Sequence, residues 1–130
     1  MYCLDTNILV DVIRGDEALG DKIDNLMDKG VIFYITPITL CELYREAYSH
    51  AQKEDKLLEI NSYVSNFELL EFDSISCDYF GKTYSFLKKS GKMTGEFDLI
   101  IASIVMANNL VLITRNKKDF ENIDVKLEVW

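Results

Sequence analysis

Short apolar runs recur along this chain, and each is separated from the next by a segment with the periodicity of a helix. Four runs are candidates for buried strands, at residues 2–4, 31–35, 69–72 and 110–113, and residues 125–129 are a candidate edge strand. Runs that lack the alternation of a half-exposed strand are typical of parallel strands covered by helices on both faces. The sequence therefore predicts an α/β protein built on a parallel sheet.

The segments between these runs predict six helices, several of them with recognisable boundary residues. Gly30 follows the second helix, Pro37 suits the first position of the third, and Asp73 is a capping residue for the fifth. The predicted helices cover residues 8–13, 16–29, 37–48, 54–67, 74–89 and 97–107. The sixth is apolar on nearly every side, which indicates burial on most of its faces.

Two expectations concern side chains that the sequence assigns to the core. Cys3, Cys41 and Cys77 form no C-x-x-C pair and are odd in number, so we expect small buried hydrophobes rather than disulfides or a zinc site. In the fifth helix we expect six large side chains to face inward: Ile75, Tyr79, Phe80, Tyr84, Phe86 and Leu87.

Length and composition exclude several classes of protein. A chain of 130 residues, 48% of them hydrophobic, is expected to form one domain over residues 1–130. No apolar stretch approaches the roughly 20 residues that cross a bilayer, so we expect a cytoplasmic protein with no membrane partner. A single histidine, His50, excludes a histidine-pair ribonuclease mechanism, and the usual serine-hydrolase, P-loop and dinucleotide motifs do not occur.

Net charge further restricts the function. Fourteen basic and 22 acidic residues leave a charge of −8, which opposes general binding to a polyanion. Two bound divalent cations would halve that charge. The position of the acids therefore matters more than their number.

Four acids are predicted at the carboxyl edge of the sheet, where ligands of parallel α/β proteins collect. Asp5 follows the first strand, Glu42 lies in the helix after the second, Asp98 opens the helix before the fourth, and Asp119 follows that strand. Each also has a simpler interpretation, as a helix cap, a surface charge, a first-turn acid or a turn residue. If they converge, an all-oxygen set of this kind favours Mg²⁺ or Mn²⁺.

Taken together, four segments of the chain resemble the signature blocks of the PIN domain family, and the VapC-like toxins of toxin–antitoxin systems in particular. The blocks extend over essentially the whole chain and occur in the family's order. They are Leu4-Asp5-Thr6-Asn7, Glu42-Leu43, Asp98-Leu99-Ile100-Ile101-Ala102 and Thr114-Arg115-Asn116-x-x-Asp119-Phe120.

The resemblance implies a Rossmann-like α/β/α sandwich with a mostly parallel sheet of four to five strands. It also implies an endoribonuclease that depends on one or two Mg²⁺ or Mn²⁺ ions, a homodimer, and a cognate antitoxin whose tail enters the acidic cleft. Asp5, Glu42, Asp98 and Asp119 match the family's metal-binding and catalytic acids. The supporting polar positions match Thr6, Asn7, Thr114 and Asn116.

Three other functions stay open at this point. An aspartate that ends the first strand is also the nucleophile position of aspartyl-phosphate phosphatases, but their usual D-x-D has Asn7 at its second position here. The second open function is a PIN nuclease that processes RNA outside toxin–antitoxin systems. The third is a catalytically silent module whose acidic cleft receives a basic segment of a partner.

Basic residues around the cleft decide how such a chain would hold RNA. Seven are candidates for a basic rim, and each is as well explained as an ordinary surface charge. They are Arg14, Lys88, Lys89, Lys92, Arg115, Lys117 and Lys118.

Overall fold

The computed structural model describes residues 1–130 and contains five strands and six α-helices. The strands are β1 (Tyr2–Leu4), β2 (Phe33–Ile35), β3 (Glu68–Leu69), β4 (Val111–Thr114) and β5 (Leu127–Val129). The helices are α1 (Thr6–Ile13), α2 (Glu17–Asp28), α3 (Pro37–Tyr48), α4 (Lys53–Val64), α5 (Ser74–Ser90) and α6 (Glu96–Ala107). A short 3₁₀ turn at Lys117–Asp119 follows β4.

All five strands are parallel and form one sheet in the order β3-β2-β1-β4-β5. The chain builds outward from β1 to β3 and then returns to place β4 on the other side of β1. The connections that leave β1 and β4 therefore diverge, which opens a crevice at the carboxyl ends of these two strands. The predicted parallel α/β/α fold is confirmed.

Alternate side chains of the central strands point to opposite faces of the sheet, and both faces are buried. Leu4 of β1 and Ile113 of β4 join a core shared with α1, α2, α3 and α4. Cys3 and Leu112 join the core beneath α5 and α6. Full burial of each such leucine or isoleucine stabilises the fold by roughly 1.5–3 kcal/mol. Strands that are apolar at every position therefore favour a sheet that is covered on both faces.

Local signals place the ends of α3 and α5 within one residue of the prediction, whereas α4 ends at Val64 rather than at residue 67. Pro37 occupies the first turn of α3, and the Thr36 hydroxyl caps that helix by accepting from the Thr39 amide at 3.2 Å. Asp73 caps α5 by accepting from the Ser76 amide at 2.9 Å. Gly91 ends α5 with φ 67°, a left-handed conformation that favours glycine. None of the six helices combines the length and the apolar character needed to cross a bilayer.

The third strand and the inward face of α5 differ from expectation. The strand is Glu68–Leu69, not residues 69–72, and both of its residues are exposed because it forms the edge of the sheet. In α5, Ile75, Tyr79 and Phe86 face solvent rather than the core. Phe80, Tyr84 and Leu87 do face inward as expected, and Ser76 and Thr83 complete the buried or half-buried stripe of α5.

Two of the three cysteines are also more accessible than expected. Cys3 is fully buried on the central strand, whereas Cys41 on α3 and Cys77 on α5 are exposed. Each exposed cysteine lies on a helical face that points away from the sheet. All three are free thiols in this structure.

Candidate active site

An open cleft of about 600 Å³ lies over the carboxyl ends of the central strands. Asp5, Glu42, Asp98 and Asp119 all line it, although the chain separates the first and last of them by more than a hundred residues. The fold brings them together because β1 and β4 are neighbours and the first turns of α1 and α6 begin at the same edge.

Asp5 is the most deeply placed of the four acids, with only 4% of its surface exposed. Its Oδ1 accepts from the Thr6 amide at 2.8 Å, which makes it the cap of α1, and its Oδ2 accepts from the Thr114 hydroxyl at 2.7 Å. Burial raises the pKa of Asp5 to about 6; the two hydrogen bonds act against this rise, and the nearby Glu42 and Asp119 add to it. The capping interpretation is correct, and Asp5 lines the cleft as well.

Thr114 links the ends of the two central strands through its fully buried hydroxyl group. Besides donating to Asp5, its oxygen accepts from the Asn7 side chain at 3.2 Å and from the Asn116 amide at 3.1 Å. Asn7 also accepts from the Arg115 amide at 3.3 Å. Because these bonds fix the hydroxyl, its proton is directed at the Asp5 carboxylate.

Glu42 is held by the polar residues of α1 and α3. The Thr6 hydroxyl donates to Glu42 Oε1 at 2.7 Å. The Thr6 oxygen lies 3.1 Å from the hydroxyl of Thr39, which is fully buried. Thr6 therefore restrains the Glu42 carboxylate within the cleft.

Asp98 is half-buried in the first turn of α6 and accepts no hydrogen bond from another protein group. Burial, followed in importance by the like charges of Asp119, Asp5 and Glu42, raises the pKa of Asp98 to about 7. A carboxyl in this position is stabilised as an anion only by something positive in the cleft.

Asp119 lies at the end of the 3₁₀ turn that follows β4. Asn116 donates to its Oδ2 at 2.8 Å, and its backbone carbonyl accepts from the Thr94 hydroxyl at 2.9 Å. The second bond ties the turn to the loop that precedes α6. Asn116 thus supports Asp119, as Thr114 supports Asp5.

Sequence reasoning missed several residues of the cleft wall that helical spacing could have found. Asp11 lies one turn beyond Asn7 on α1. The others follow Glu42 along α3 or just beyond its end, at intervals of three, four and seven residues. They are Arg45, Glu46 and Ser49.

The predicted basic rim is largely neutralised by acids where it meets the cleft. Arg14 lines the cleft but pairs with Glu46 at 2.9 Å. Arg115 is held between Asp11 at 3.0 Å and Asp16 at 2.9 Å. Neither guanidinium is a free positive charge.

The donor set of the cleft fits a hard divalent cation. No three His, Cys, Asp or Glu side chains already enclose a metal position. Mg²⁺, however, commonly takes only one or two protein carboxylates and completes its octahedral shell with water and substrate phosphate. Asp5 and Asp98 line one open cleft with raised pKa values, and a cation between them would relieve their mutual repulsion.

A Rossmann-like parallel α/β fold with four carboxylates over its central crevice defines the class of this protein. Comparison with protein families shows the family: the PIN domain model matches residues 2–126. The chain belongs to the PIN domain family.

Known relatives extend this match over the full chain. A Rickettsia felis protein named Ribonuclease VapC2 is 31% identical, over 100% of this chain and 98% of its own length. A Shigella flexneri protein named tRNA(fMet)-specific endonuclease VapC is 29% identical, over 99% of this chain and 97% of its own length. A crystal structure of VapBC2 from Rickettsia felis bound to a promoter DNA fragment contains a chain that matches with a TM-score of 0.93 and 30% identity, over 99% of this chain and 98% of that chain.

Proposed function

We propose that this chain is a Mg²⁺- or Mn²⁺-dependent endoribonuclease that hydrolyses RNA phosphodiester bonds. The observation that carries the proposal is the convergence of four carboxylates in one cleft, two of them with raised pKa values. Relatives named as VapC ribonucleases support the same reaction.

Asp5 and Asp98 would be the principal ligands of the cation, which lowers the pKa of a bound water and offsets charge on the phosphoryl oxygens. Glu42 would bind through water or accept the proton of the attacking water. Asp119 would serve a second or outer-sphere ion. These roles rest on the resemblance and on the shared cleft.

The polar residues around the acids orient them. Thr114 holds Asp5 through a fully buried hydroxyl, Thr6 holds Glu42, and Asn116 holds Asp119. Asn7 fixes the direction of the Thr114 hydroxyl. Partners of this kind tune ligand geometry and typically change metal affinity or activity by about 10- to 100-fold when removed.

The biological setting we propose is a toxin, cytoplasmic and homodimeric, that is restrained by a cognate antitoxin. Similarity to a chain in a VapBC2 structure supports an antitoxin partner. An RNA-processing nuclease would share the same cleft. Loss of growth on expression of the chain alone, with rescue by its antitoxin, would separate the toxin from the processing role.

The test is cleavage of defined RNAs by the purified, antitoxin-free protein in Mg²⁺, Mn²⁺ and EDTA. We expect metal-dependent cleavage, and a fall of about 10³-fold or more in D98N because an essential ligand is lost. E96Q is the matched control, since Glu96 is an exposed acid of the same helical turn outside the cleft wall. Equal cleavage by D98N and wild type would contradict the proposal.

A silent binding module is the competing function, and the pairing of Arg14 and Arg115 with acids favours it because these cations are not free for phosphate. Salt-sensitive binding of an Arg-rich peptide, with no cleavage of any RNA in either metal, would support that module.

A further inference from the structure

Arg45 differs from the other two arginines of the chain. Arg14 and Arg115 are each paired with carboxylates, whereas Arg45 has no carboxylate oxygen within 4.0 Å. It is exposed and lines the cleft one helical turn beyond Glu42. Arg45 is therefore the one arginine of the cleft wall that is free to contact an anion.

Phe97 places an aromatic ring against Arg45, just outside the lining of the cleft. It directly precedes Asp98 in the first turn of α6, and 43% of its surface is exposed. The Arg45 guanidinium carbon lies over the ring, 5.8 Å from its centroid. A free cation and an open aromatic ring thus lie together beside the candidate metal ligands.

We propose that Arg45 and Phe97 form a subsite for one unpaired nucleotide of the RNA strand, next to the bond that is cleaved. The base stacks on the Phe97 ring, and Arg45 contacts the adjoining phosphate. The inference rests on the proposed function and names its substrate class: a strand in which the nucleotide beside the cleaved bond is free of a base pair.

Charge explains why a stacking contact suits this cleft. A chain of net charge −8 gains little from general attraction to phosphates. Stacking on aromatic rings does not depend on a positive field and contributes roughly 1–3 kcal/mol per base. Recognition of RNA by stacking requires bases that are splayed out of a helix, which single-stranded loops provide.

The first test compares F97A, F97L and F97Y with wild type on a short single-stranded RNA that the protein cleaves. We expect kcat/KM to fall roughly 5- to 150-fold in F97A, which corresponds to the loss of one stacked base. F97L retains apolar volume but has no aromatic face, so its kcat/KM should stay low. F97Y restores the aromatic face, so its kcat/KM should return to the wild-type value. F86A is the matched control, because Phe86 is an aromatic residue of α5 that is 61% exposed.

An abasic nucleotide placed in turn at the two positions flanking the cleaved bond identifies the stacked base. At one position, we expect wild type to lose as much activity as F97A loses on intact RNA, and F97A to lose nothing further. Independent, additive losses at both positions would overturn the subsite, as would equal kcat/KM for F97A and wild type.

Arg45 is tested through salt dependence. R45A should lower the slope of log affinity against log salt by roughly 0.7, the value for one phosphate contact on a single strand, and R45K should restore it. An unchanged slope in R45A would contradict the phosphate contact.

Binding separates this inference from the proposed function. The same RNA, carrying 2-aminopurine at the flanking position, is titrated in EDTA, where no cleavage is expected. A fluorescence change in wild type that F97A loses supports the subsite even if no variant cleaves RNA, an outcome that would refute the nuclease alone. Equal RNA binding by wild type and F97A, with F97A impaired only in binding an Arg-rich peptide, would assign the ring to a protein partner.

Discussion

Asp5 and Asp98, two acids of the cleft, are held in opposite ways. Asp5 lies at the junction of β1 and β4, almost fully buried, and both of its oxygens accept hydrogen bonds from the protein. Asp98 is only half-buried on α6, yet no protein group donates to it. The less buried carboxyl nevertheless has the higher pKa, about 7 against about 6.

This difference shows what hydrogen bonds contribute to a carboxylate in a cleft. Donors directed at Asp5 offset part of its loss of water, whereas the pKa of Asp98 is shifted only by burial and by like charges. Under the proposed function, Asp5 would be a ligand that the protein already holds in place. Asp98 becomes a stable anion only when a cation enters.

Removal of the Thr114 hydroxyl should make Asp5 more like Asp98, because Asp5 would lose a hydrogen-bond donor. In T114V, Asp5 Oδ2 loses its donor and the Asn7 and Asn116 donors lose their acceptor. We expect about 10- to 100-fold less cleavage and a free energy of unfolding lower by about 1–3 kcal/mol. RNA cleavage assays and urea denaturation measure these effects.

T83V controls for the change from hydroxyl to methyl, because Thr83 is a half-buried residue of α5, outside the cleft wall. Cleavage by T114V at the level of T83V would show that the hydroxyl does not support Asp5.

Removal of the charge of Asp98 should stabilise the protein in the absence of divalent cations. We expect the free energy of unfolding of D98N, in EDTA at pH 8, to exceed that of wild type by roughly 0.5–2 kcal/mol. The reason is that the substitution removes a half-buried charge that the other acids of the cleft repel. Thermal unfolding of D98N, E96Q and wild type measures this effect. A stability of D98N at or below that of E96Q would refute the claim that Asp98 is destabilising when charged.

The same measurement has a definite pH dependence. The pKa of Asp98 is about 7 in the folded protein, above its ordinary value of 3.8, so the folded state retains a proton that the unfolded state loses. Stability should therefore decrease as pH rises from about 4 to about 7, and Asp5 adds a decrease of the same sign up to about pH 6. The free energy of unfolding of D98N should decrease less over this pH range than that of wild type. The difference in stability between the two proteins should therefore vanish near pH 4.

Fold and cleft were predictable to different degrees because they depend on different kinds of information. Uninterrupted apolar runs identify the strands of the parallel sheet, and boundary residues such as Pro37 and Asp73 identify the helix ends. Both signals are local in sequence. The edge strand at Glu68–Leu69 was misplaced, because one-sided pairing requires few apolar residues. The outward stripe of α5, with Ile75 and Tyr79, follows the same period as its inward stripe, and composition does not distinguish them.

The four acids of the cleft were predictable, but the electrostatics of the cleft were not. The acids were found because parallel topology collects strand ends, whatever their separation in sequence. That Thr114 donates to Asp5 while nothing donates to Asp98 depends on tertiary contacts between distant segments. The same holds for the pairing of Arg14 and Arg115 with acids, which leaves Arg45 unpaired.

The most direct test of this account is calorimetric titration of Mn²⁺ into the protein at pH 6.5, in two buffers that differ in ionisation enthalpy. If a cation binds between Asp5 and Asp98, binding must displace the protons that their raised pKa values retain. We predict release of about one proton per protein in wild type, and most of that release should be lost in D98N. Mn²⁺ binding without proton release, or no binding at all, would contradict the account.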